Sequence, residues 1–231
     1  MTATAILIPA RYGSTRFPGK PLTMLDGKTM IQTVAEKCMS SGYDTYVLTD
    51  NKTIAQAAKA TGVDFYIDTH DYENGTERCA GAVNSRTFND YDQFINVQGD
   101  MPDVTVEMIE KCAESLSYNY SVSTVYTDMP KEMQDDPNSV KMIHGYPNQA
   151  LWFGRGLTGY GEWHLGVYGY KRHALVAYPN LKVTQEERIE KLEQLRWLKN
   201  GWQIGCTSVY FNGVEINTPE DVETWQQKKL Q

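Results

Sequence analysis

The sequence predicts an α/β protein whose mainly parallel, mixed β-sheet is flanked by helices. In the first hundred residues, short apolar runs alternate with segments of helical periodicity, and strand-like runs dominate after Asp100. Strand–helix alternation implies right-handed β-α-β crossovers and parallel neighbouring strands. A length of 231 residues and an apolar content of 41% suit one Rossmann-like unit with its own core.

The elements of the first half are assigned from apolar spacing and turn residues. Met30, Val34 and Cys38 recur at helical spacing, and Pro9 is expected to stop the first strand. A turn at 74–78 runs into the third helix, with Thr76 as its predicted N-cap. Strands are predicted at 5–8, 46–48, 64–67 and 93–97, and helices at 30–39, 54–60, 78–83 and 104–116.

The second half is richer in strands, which are predicted near 122–125, 139–143, 150–153 and 165–170. One amphipathic helix is predicted from 185 to 200, ended by Gly201. A last helix opens with Thr218 as N-cap and Pro219 as its first residue. No low-complexity linker or internal repeat interrupts the chain, so residues 1–231 are predicted to form a single domain.

Composition narrows the classes of function. The formal net charge of −7 argues against general nucleic-acid binding. Four scattered cysteines without a C-x-x-C pair predict reduced, buried thiols rather than a zinc site or disulfides. The N-terminus lacks a signal-peptide pattern, and no apolar run approaches the roughly 20 residues that span a bilayer. The sequence therefore predicts a cytoplasmic protein that binds neither nucleic acid nor membrane.

The loop after the first strand, at 9–21, concentrates groups that bind phosphate. It carries the cations Arg11, Arg16 and Lys20, beside the hydroxyls of Ser14 and Thr15. Guanidinium groups donate paired hydrogen bonds to phosphate oxygens, and an ammonium adds a mobile positive charge. The loop is not the phosphate loop of an NTPase, because its glycines are six positions apart instead of five and a proline follows the lysine. A surface loop with incidental basic residues is the alternative reading.

Asp100 comes directly after the predicted strand at 93–97. A carboxylate is a hard oxygen ligand suited to Mg²⁺, which commonly binds one or two carboxylates together with substrate phosphates. The spacing alone fits equally well with Asp100 capping the turn that follows the strand.

The run 8–22, IPARYGSTRFPGKPL, closely resembles the signature of the 3-deoxy-manno-octulosonate cytidylyltransferases, or CMP-Kdo synthetases. This family belongs to the nucleotide-diphospho-sugar transferase superfamily, and the resemblance implies that fold. It also implies CTP as a partner and catalysis through Arg11, Arg16, Lys20 and Asp100. The nucleotide contacts that the resemblance implies are Pro9, Ala10, Arg11, Ser14, Arg16, Lys20, Arg78 and Gln98.

Five further segments resemble family motifs in the same order along the chain. They are 74–78 (NGTER), 96–100 (NVQGD), 136–141 (DPNSVK), 164–170 (HLGVYGY) and 189–196 (IEKLEQLR). The resemblance implies a sugar-acid site formed by Arg78, Gln98, Arg155, His164, Tyr168, Glu190, Glu193 and Gln194. It further implies a homodimer, with a nucleotide-binding part at about 1–118, a β-rich sugar-binding and dimerisation lobe at about 119–215, and a C-terminal helix at 216–231.

Three departures from the family pattern bear on the substrate and the metal. Met101 follows QGD where the family has Glu, and the segment 154–163 is shorter than its family counterpart. The resemblance implies Mg²⁺ held by Asp100 and by the residue at 217, where this chain has Asn in place of Asp. Asn keeps a carbonyl oxygen but loses the charge, so Asp221 or Glu215 is a candidate for compensation.

These observations favour transfer of CMP from CTP to the anomeric hydroxyl of Kdo, with release of pyrophosphate. The shortened segment and Asn217 motivate a second hypothesis, the same chemistry on 8-amino-Kdo or a nonulosonic acid. The third hypothesis, from another class, is a homologue that binds nucleotide but turns over poorly.

Overall fold

The computed structural model describes residues 2–13, 17–117 and 120–229, and its first half follows the predicted alternation. Two short strands, β2 and β3, form a small hairpin apart from the main sheet. The elements are β1 (Thr4–Ala10), β2 (Met24–Leu25), β3 (Lys28–Thr29), α1 (Met30–Met39), β4 (Asp44–Thr49), α2 (Lys52–Lys59), β5 (Asp64–Ile67), α3 (Gly75–Ala82), β6 (Gln93–Val97) and α4 (Val106–Ser117).

The second half begins with β7 and ends with a helix. Its elements are β7 (Val122–Thr127), β8 (Lys141–Gly145), β9 (Gln149–Gly154), β10 (Glu162–Lys171), α5 (Arg172–Ala177), α6 (Gln185–Glu190), α7 (Gln194–Lys199), β11 (Ile204–Ser208) and α8 (Pro219–Lys229). No helix among the described ranges is both long and apolar enough to cross a bilayer.

Nine strands of the described chain form one mixed sheet in the order β5-β4-β1-β6-β10-β7-β11-β9-β8. Pairing is parallel from β5 to β6, and β10 then runs antiparallel to both β6 and β7. Beyond β6 the neighbouring strands pair antiparallel except for β7 and β11, and β8 and β9 are joined by a short hairpin rather than by a helical crossover. The described strands of the β-rich region thus belong to the same sheet as those of the first half.

The prediction that Pro9 ends the first strand is wrong. β1 continues through Pro9 to Ala10, in parallel register with Leu48 and Thr49 of β4. The ladder between β1 and β6 ends at Leu7, so Pro9, which has no N–H, lies where β1 pairs with one neighbour alone. The extra residues extend β1 to the edge of the sheet where the basic loop begins.

The single helix predicted from 185 to 200 is also wrong, because two short helices, α6 and α7, occupy this range. Lys191 adopts the left-handed conformation, with φ 55°, and ends α6. Apolar spacing does not reveal such a break, since Leu192 in the gap between the helices and Leu195 in α7 are both buried at helical spacing. The predicted end at Gly201 is confirmed, with φ 82° just after α7.

Two helix starts test the predicted caps. α3 begins at Gly75, three residues before the predicted start, and Asn74 rather than Thr76 is its N-cap, because Asn74 Oδ1 accepts the N–H of Glu77 at 2.9 Å. Pro219 is the first residue of α8, as predicted.

Hydrophobic cores lie on both faces of the sheet, following the alternation of β1. Ile6 and Ile8 pack with residues of α1, α2 and α4, whereas Ala5 and Leu7 pack with residues of α3, α5 and α7. Parallel neighbours bring the carboxyl ends of β1, β4 and β6 to the same edge of the sheet, where ligands bind in open α/β folds. The fold therefore places the basic loop and the NVQGD segment side by side.

Candidate active site

Two adjoining cavities open at this edge of the sheet, with volumes of about 210 Å³ and 660 Å³. Both are lined by the same five residues, Arg11, Asn74, Gly75, Gln98 and Asp100. A cleft with two connected compartments suits two substrates that must meet. The shared lining lies where the reacting groups of two such substrates would come together.

The smaller cavity brings together the predicted nucleotide contacts that the structure describes. Its predicted lining residues are Pro9, Ala10, Arg11, Lys20, Arg78, Gln98 and Asp100. The predicted contacts Ser14 and Arg16 lie outside the described residues. The N-terminus of α3 borders the cavity through Asn74 and Gly75, and the partial positive charge of a helix start favours anions.

Close backbone contact between β1 and the NVQGD segment shapes this cavity. A Cβ at Gly99 would lie 3.0 Å from the Pro9 carbonyl oxygen, which is tighter than most contacts that real Cβ atoms make. Gly99 therefore lets the turn after β6 press against the end of β1. This contact sets Asp100 beside the basic loop.

Arg78 is held in place from several sides while it lines the smaller cavity. Its side chain is almost completely buried, and Nη1 donates to the Asp68 carbonyl oxygen at 3.1 Å. Nη2 lies 3.6 Å from the Asp50 carboxylate, and the guanidinium lies 5.2 Å from the centre of the Tyr72 ring. A buried arginine fixed in this way presents a positive charge at little further entropic cost.

Lys20 and Asp100 form a partly buried ion pair at the junction of the cavities. Lys20 Nζ donates to Asp100 Oδ2 at 2.5 Å and to the Ile216 carbonyl oxygen at 3.1 Å. Asp100 is thus a charged group facing both compartments. The alternative that Asp100 serves only to cap a turn does not account for this placement.

The larger cavity collects most of the predicted sugar-acid contacts. The predicted residues that line it are Gln98, Arg155, His164, Tyr168, Glu193 and Gln194, together with Asn217. Arg78 is confined to the smaller cavity, and Glu190 lines neither. The Glu190 carboxylate instead accepts the backbone N–H of Arg155 at 2.7 Å.

Glu193 and Gln194 present polar atoms from the start of α7. Glu193 accepts hydrogen bonds from the Thr76 backbone N–H at 3.1 Å and from Gln98 Nε2 at 3.3 Å. Burial raises the pKa of the Glu193 carboxyl. Gln194 Nε2 is buried and has no hydrogen-bond partner within the described chain. An unsatisfied buried donor beside a cavity is a position for a ligand oxygen.

His164 is a neutral ring buried beside the larger cavity. Its Nε2 lies 2.9 Å from Thr124 Oγ1, and that hydroxyl donates to the Val167 carbonyl oxygen at 2.8 Å. Since the hydroxyl proton is used there, Nε2 carries a proton and donates to Thr124, which leaves Nδ1 as an acceptor. Burial lowers the pKa of His164 from 6.5 to about 3. His164 can therefore accept or donate hydrogen bonds but carries no charge near neutral pH.

We predict that His164 makes the protein acid-sensitive. Because the pKa of His164 is about 3 in the folded protein and 6.5 in the unfolded chain, the unfolded chain takes up this proton first, and stability falls as pH drops below 6.5. The contribution is about 2 kcal/mol at pH 5. Urea unfolding at pH 7.5 and pH 5 measures how much the free energy of unfolding falls between the two pH values. This fall should be about 2 kcal/mol smaller in His164→Asn than in the wild type, even if the substitution also lowers stability equally at both pH values. Parallel losses in the two proteins would contradict the assignment.

Three acidic or amide groups near residue 217 differ in what they contact. Asp221 Oδ2 accepts the backbone N–H groups of Asn217 and Thr218, both at 2.8 Å, so Asp221 caps the start of α8. Asp221 is absent from the lining of either cavity, whereas Glu215 and Asn217 line the larger one. Burial and the nearby Asp100 raise the pKa of Glu215 from 4.5 to about 7. Of the two predicted candidates for compensation, Glu215 alone faces the site.

Several site residues escaped sequence reasoning. Asn74 and Gly75 line both cavities, and Tyr72 lines the smaller one. Asn74 could have been recognised from the sequence, because Asn is a preferred N-cap and α3 begins directly after it; the predicted cap was Thr76 instead. Further wall residues of the larger cavity come from α6 and from the bend that follows it, namely Glu187, Arg188, Lys191 and Leu192. No local sequence pattern marks these residues as part of a site, because apolar spacing does not reveal the break at Lys191.

A two-compartment cleft at the strand ends of a mixed α/β sheet, with basic residues around its smaller cavity, suits an enzyme that joins a nucleotide to a second substrate. Comparison with known proteins agrees: residues 5–204 match the family model described as cytidylyltransferase. The chain belongs to the cytidylyltransferase family and is a nucleotidyltransferase.

Relatives and solved structures cover nearly the whole chain. The 8-amino-3,8-dideoxy-manno-octulosonate cytidylyltransferase of Shewanella sp. (strain ANA-3) is 37% identical over 96% of this chain and 97% of its own length. The enzyme of that description from Shewanella frigidimarina (strain NCIMB 400) is also 37% identical, over 94% of each chain. The structure of CMP:2-keto-3-deoxy-manno-octonic acid synthetase complexed with CTP superposes with a TM-score of 0.91, 31% identity and 99% coverage of both chains. The predicted nucleotide-diphospho-sugar transferase fold is thereby confirmed in its α/β, mixed-sheet form.

Proposed function

We propose that this chain transfers CMP from CTP to the anomeric hydroxyl of an eight-carbon 3-deoxy-2-keto sugar acid, giving the CMP-sugar and pyrophosphate. One observation carries the proposal: the cavity with the predicted nucleotide contacts opens, through Gln98 and Asp100, into the cavity with the predicted sugar-acid contacts. Whole-length similarity to octulosonate cytidylyltransferases supports the same chemistry.

The chemistry requires positioning and charge more than covalent participation of the protein. The anomeric oxygen attacks the α-phosphorus in line, and the bond to the leaving pyrophosphate breaks. Arg11 and Lys20 line the smaller cavity, where positive charge stabilises the phosphates and the departing anion. Gln98, held by Glu193, orients the sugar acid between the two compartments.

We propose that Asp100 holds Mg²⁺, together with oxygen atoms of Glu215 and Asn217. The donor set fits: carboxylate and amide oxygens are hard ligands, and all three side chains line the larger cavity. No group of three or more His, Cys, Asp or Glu in the described ranges forms a metal site by itself. A site completed by substrate phosphates is what Mg²⁺ commonly uses. Bound there, Mg²⁺ would supply charge stabilisation at the α-phosphate.

A reciprocal exchange tests whether Glu215 provides the charge that Asn217 lacks. Glu215→Gln should weaken Mn²⁺ binding to the CTP complex by about 10-fold or more, because it removes a charged oxygen ligand. Adding Asn217→Asp to that variant should restore most of the affinity, whereas Asn217→Asp alone should change it little. Water-proton relaxation of bound Mn²⁺ measures affinity independently of turnover. Unchanged affinity in Glu215→Gln, or no recovery in the double variant, would exclude Glu215 as a ligand.

Kdo is the first candidate substrate, and 8-amino-Kdo is the second. The second is favoured by the activity for which the Shewanella relatives are named and by two carboxyl groups, those of Glu193 and Glu215, in the lining of the larger cavity. Carboxylates there would suit an ammonium group on the sugar. Either acid would be recognised at its own carboxylate by Arg155.

Pyrophosphate release with CTP, Mg²⁺ and a panel of sugar acids is the direct test. The panel contains Kdo, 8-amino-Kdo and a nonulosonic acid, each also tried with UTP and ATP. Turnover with an octulosonic acid and CTP is expected. Turnover with the nonulosonic acid alone would contradict the eight-carbon assignment, and nucleotide binding without turnover on any acid would favour a weakly active homologue.

We also propose a homodimer located in the cytoplasm. Large apolar side chains are exposed in the β-rich half, with Tyr146 98% and Tyr210 76% exposed, and such side chains are typical of protein interfaces. The four cysteines are buried free thiols, which suits a reducing compartment. Light scattering across a dilution series would measure the oligomeric state.

A further inference from the structure

A fully buried lysine lies at the junction of three strands in the β-rich half. Lys141 begins β8, pairs in register with Gly154 of β9, and pairs with Trp163 of β10. Its side chain has no solvent exposure, and desolvation lowers its pKa. Burying an ammonium is costly unless every donor is satisfied.

The three donors of Lys141 are all used on backbone oxygens. Nζ donates to the carbonyl oxygens of Asp136 at 2.5 Å, Ser139 at 3.2 Å and Arg155 at 3.0 Å. The first two belong to the turn before β8, and the third follows β9 directly. Lys141 therefore ties the turn at 136–139 to Arg155, the second residue of the shortened segment.

Arg155 is held from a second side by α6. The Glu190 carboxylate accepts the N–H groups of Arg155 at 2.7 Å and of Gly156 at 3.4 Å. Arg155 Nε donates to the Glu190 carbonyl oxygen at 3.2 Å, and Nη1 donates to the Asn138 carbonyl oxygen at 2.5 Å. Both the backbone and the guanidinium of Arg155 are thus fixed by residues outside the cavity.

The arrangement points toward the larger cavity, because Arg155 lines it whereas Lys141 and Glu190 do not. Lys141 and Glu190 are 49 positions apart in sequence, yet their bonds meet on one residue. A purely structural contact between β8 and β9 would need no buried charge, since the two strands already pair along five register positions. The buried ammonium of Lys141 adds a hydrogen bond that fixes the backbone of Arg155.

We propose that Lys141 and Glu190 are positioning residues that hold Arg155 in place for the carboxylate of the sugar acid. The inference rests on the proposed function and extends it to two residues that do not touch the substrate. A guanidinium that is already oriented binds a carboxylate without paying the cost of ordering its own side chain. Loss of either positioning residue should therefore weaken the binding of the acid and spare that of the nucleotide.

The test separates the Michaelis constants of the two substrates. Lys141→Met and Glu190→Ala should each raise the KM of the sugar acid by about 10-fold or more, while calorimetry gives a CTP affinity within about 2-fold of the wild type. Glu190→Gln, which keeps an oxygen acceptor, should recover part of the loss. Lys59→Met on α2 and Glu186→Ala on α6 are the matched controls, and both should behave as the wild type.

The outcomes distinguish the inference from the proposed function. If the wild type turns over a sugar acid but both variants keep its KM unchanged, or raise the KM of CTP equally, the positioning role is wrong and the function stands. If the wild type turns over no acid, the function and the inference fall together. Glu190→Ala carries the test by itself should Lys141→Met fail to fold, since Glu190 is only partly buried.

Discussion

Asp100→Asn should lower kcat by on the order of 10³-fold while the protein remains folded. Asp100 is the acidic group among the five residues that line both cavities, and its Oδ2 atom accepts from Lys20 at 2.5 Å. The amide keeps the size of the side chain and one oxygen acceptor for Lys20 but loses the negative charge. The expected loss therefore falls on the chemical step, where charge develops between the phosphates.

Steady-state kinetics with saturating CTP and sugar acid measures this effect, and Asp64→Asn on the exposed strand β5 is the matched control. The control should keep kcat within about 2-fold and the thermal midpoint within a degree or two. Calorimetry of metal-free CTP should show binding to Asp100→Asn at least as tight as to the wild type, because removing a carboxylate lowers repulsion toward the phosphates. A kcat reduced by less than about 10-fold would rule out Asp100 as the central charged group of the site.

The parts of the candidate site that could be predicted from the sequence are those at the ends of strands. Basic residues after β1 and a carboxylate after β6 are readable signals, since parallel strands bring such positions to one edge. The resemblance then added His164, Tyr168 and Gln194, none of which a local pattern would assign to a ligand. The structure places all three in the lining of the larger cavity.

The parts that sequence reasoning missed depend on long-range packing. The break at Lys191 is invisible to apolar periodicity, yet it turns one predicted helix into two and lets Glu193 reach Thr76 and Gln98. Glu215 and Asp221 were equivalent candidates in the sequence, because nothing local shows which carboxylate is used to cap α8. The end of β1 was predicted wrongly at Pro9, because a proline is tolerated in a strand where the strand pairs with one neighbour alone.

Arg196→Met should destabilise the protein by about 3–5 kcal/mol, the second large effect we expect. Arg196 is 1% exposed and lies on α7. Its Nε and Nη2 atoms donate to the Glu187 carboxylate at 2.6 to 3.0 Å, and Nη1 donates to Glu77 Oε1 at 2.9 Å. The guanidinium also lies 4.3 Å from the centre of the Tyr178 ring. Removing it leaves the buried Glu187 carboxylate without its charged partner.

For a chain of this length, such a loss corresponds to a decrease of roughly 6–20 °C in the thermal midpoint. Lys199→Met is the matched control on the same helix, because the Lys199–Glu186 pair is solvent-accessible and should contribute less than about 1 kcal/mol. Replacing Glu187 by Leu as well should recover part of the loss, since an apolar pair leaves no buried charge unpaired. Equal effects of Arg196→Met and Lys199→Met would show that burial does not set the strength of this network. The larger cavity takes Glu187, Glu193 and Gln194 from the same two helices, so the network that stabilises the fold also fixes this wall of the site.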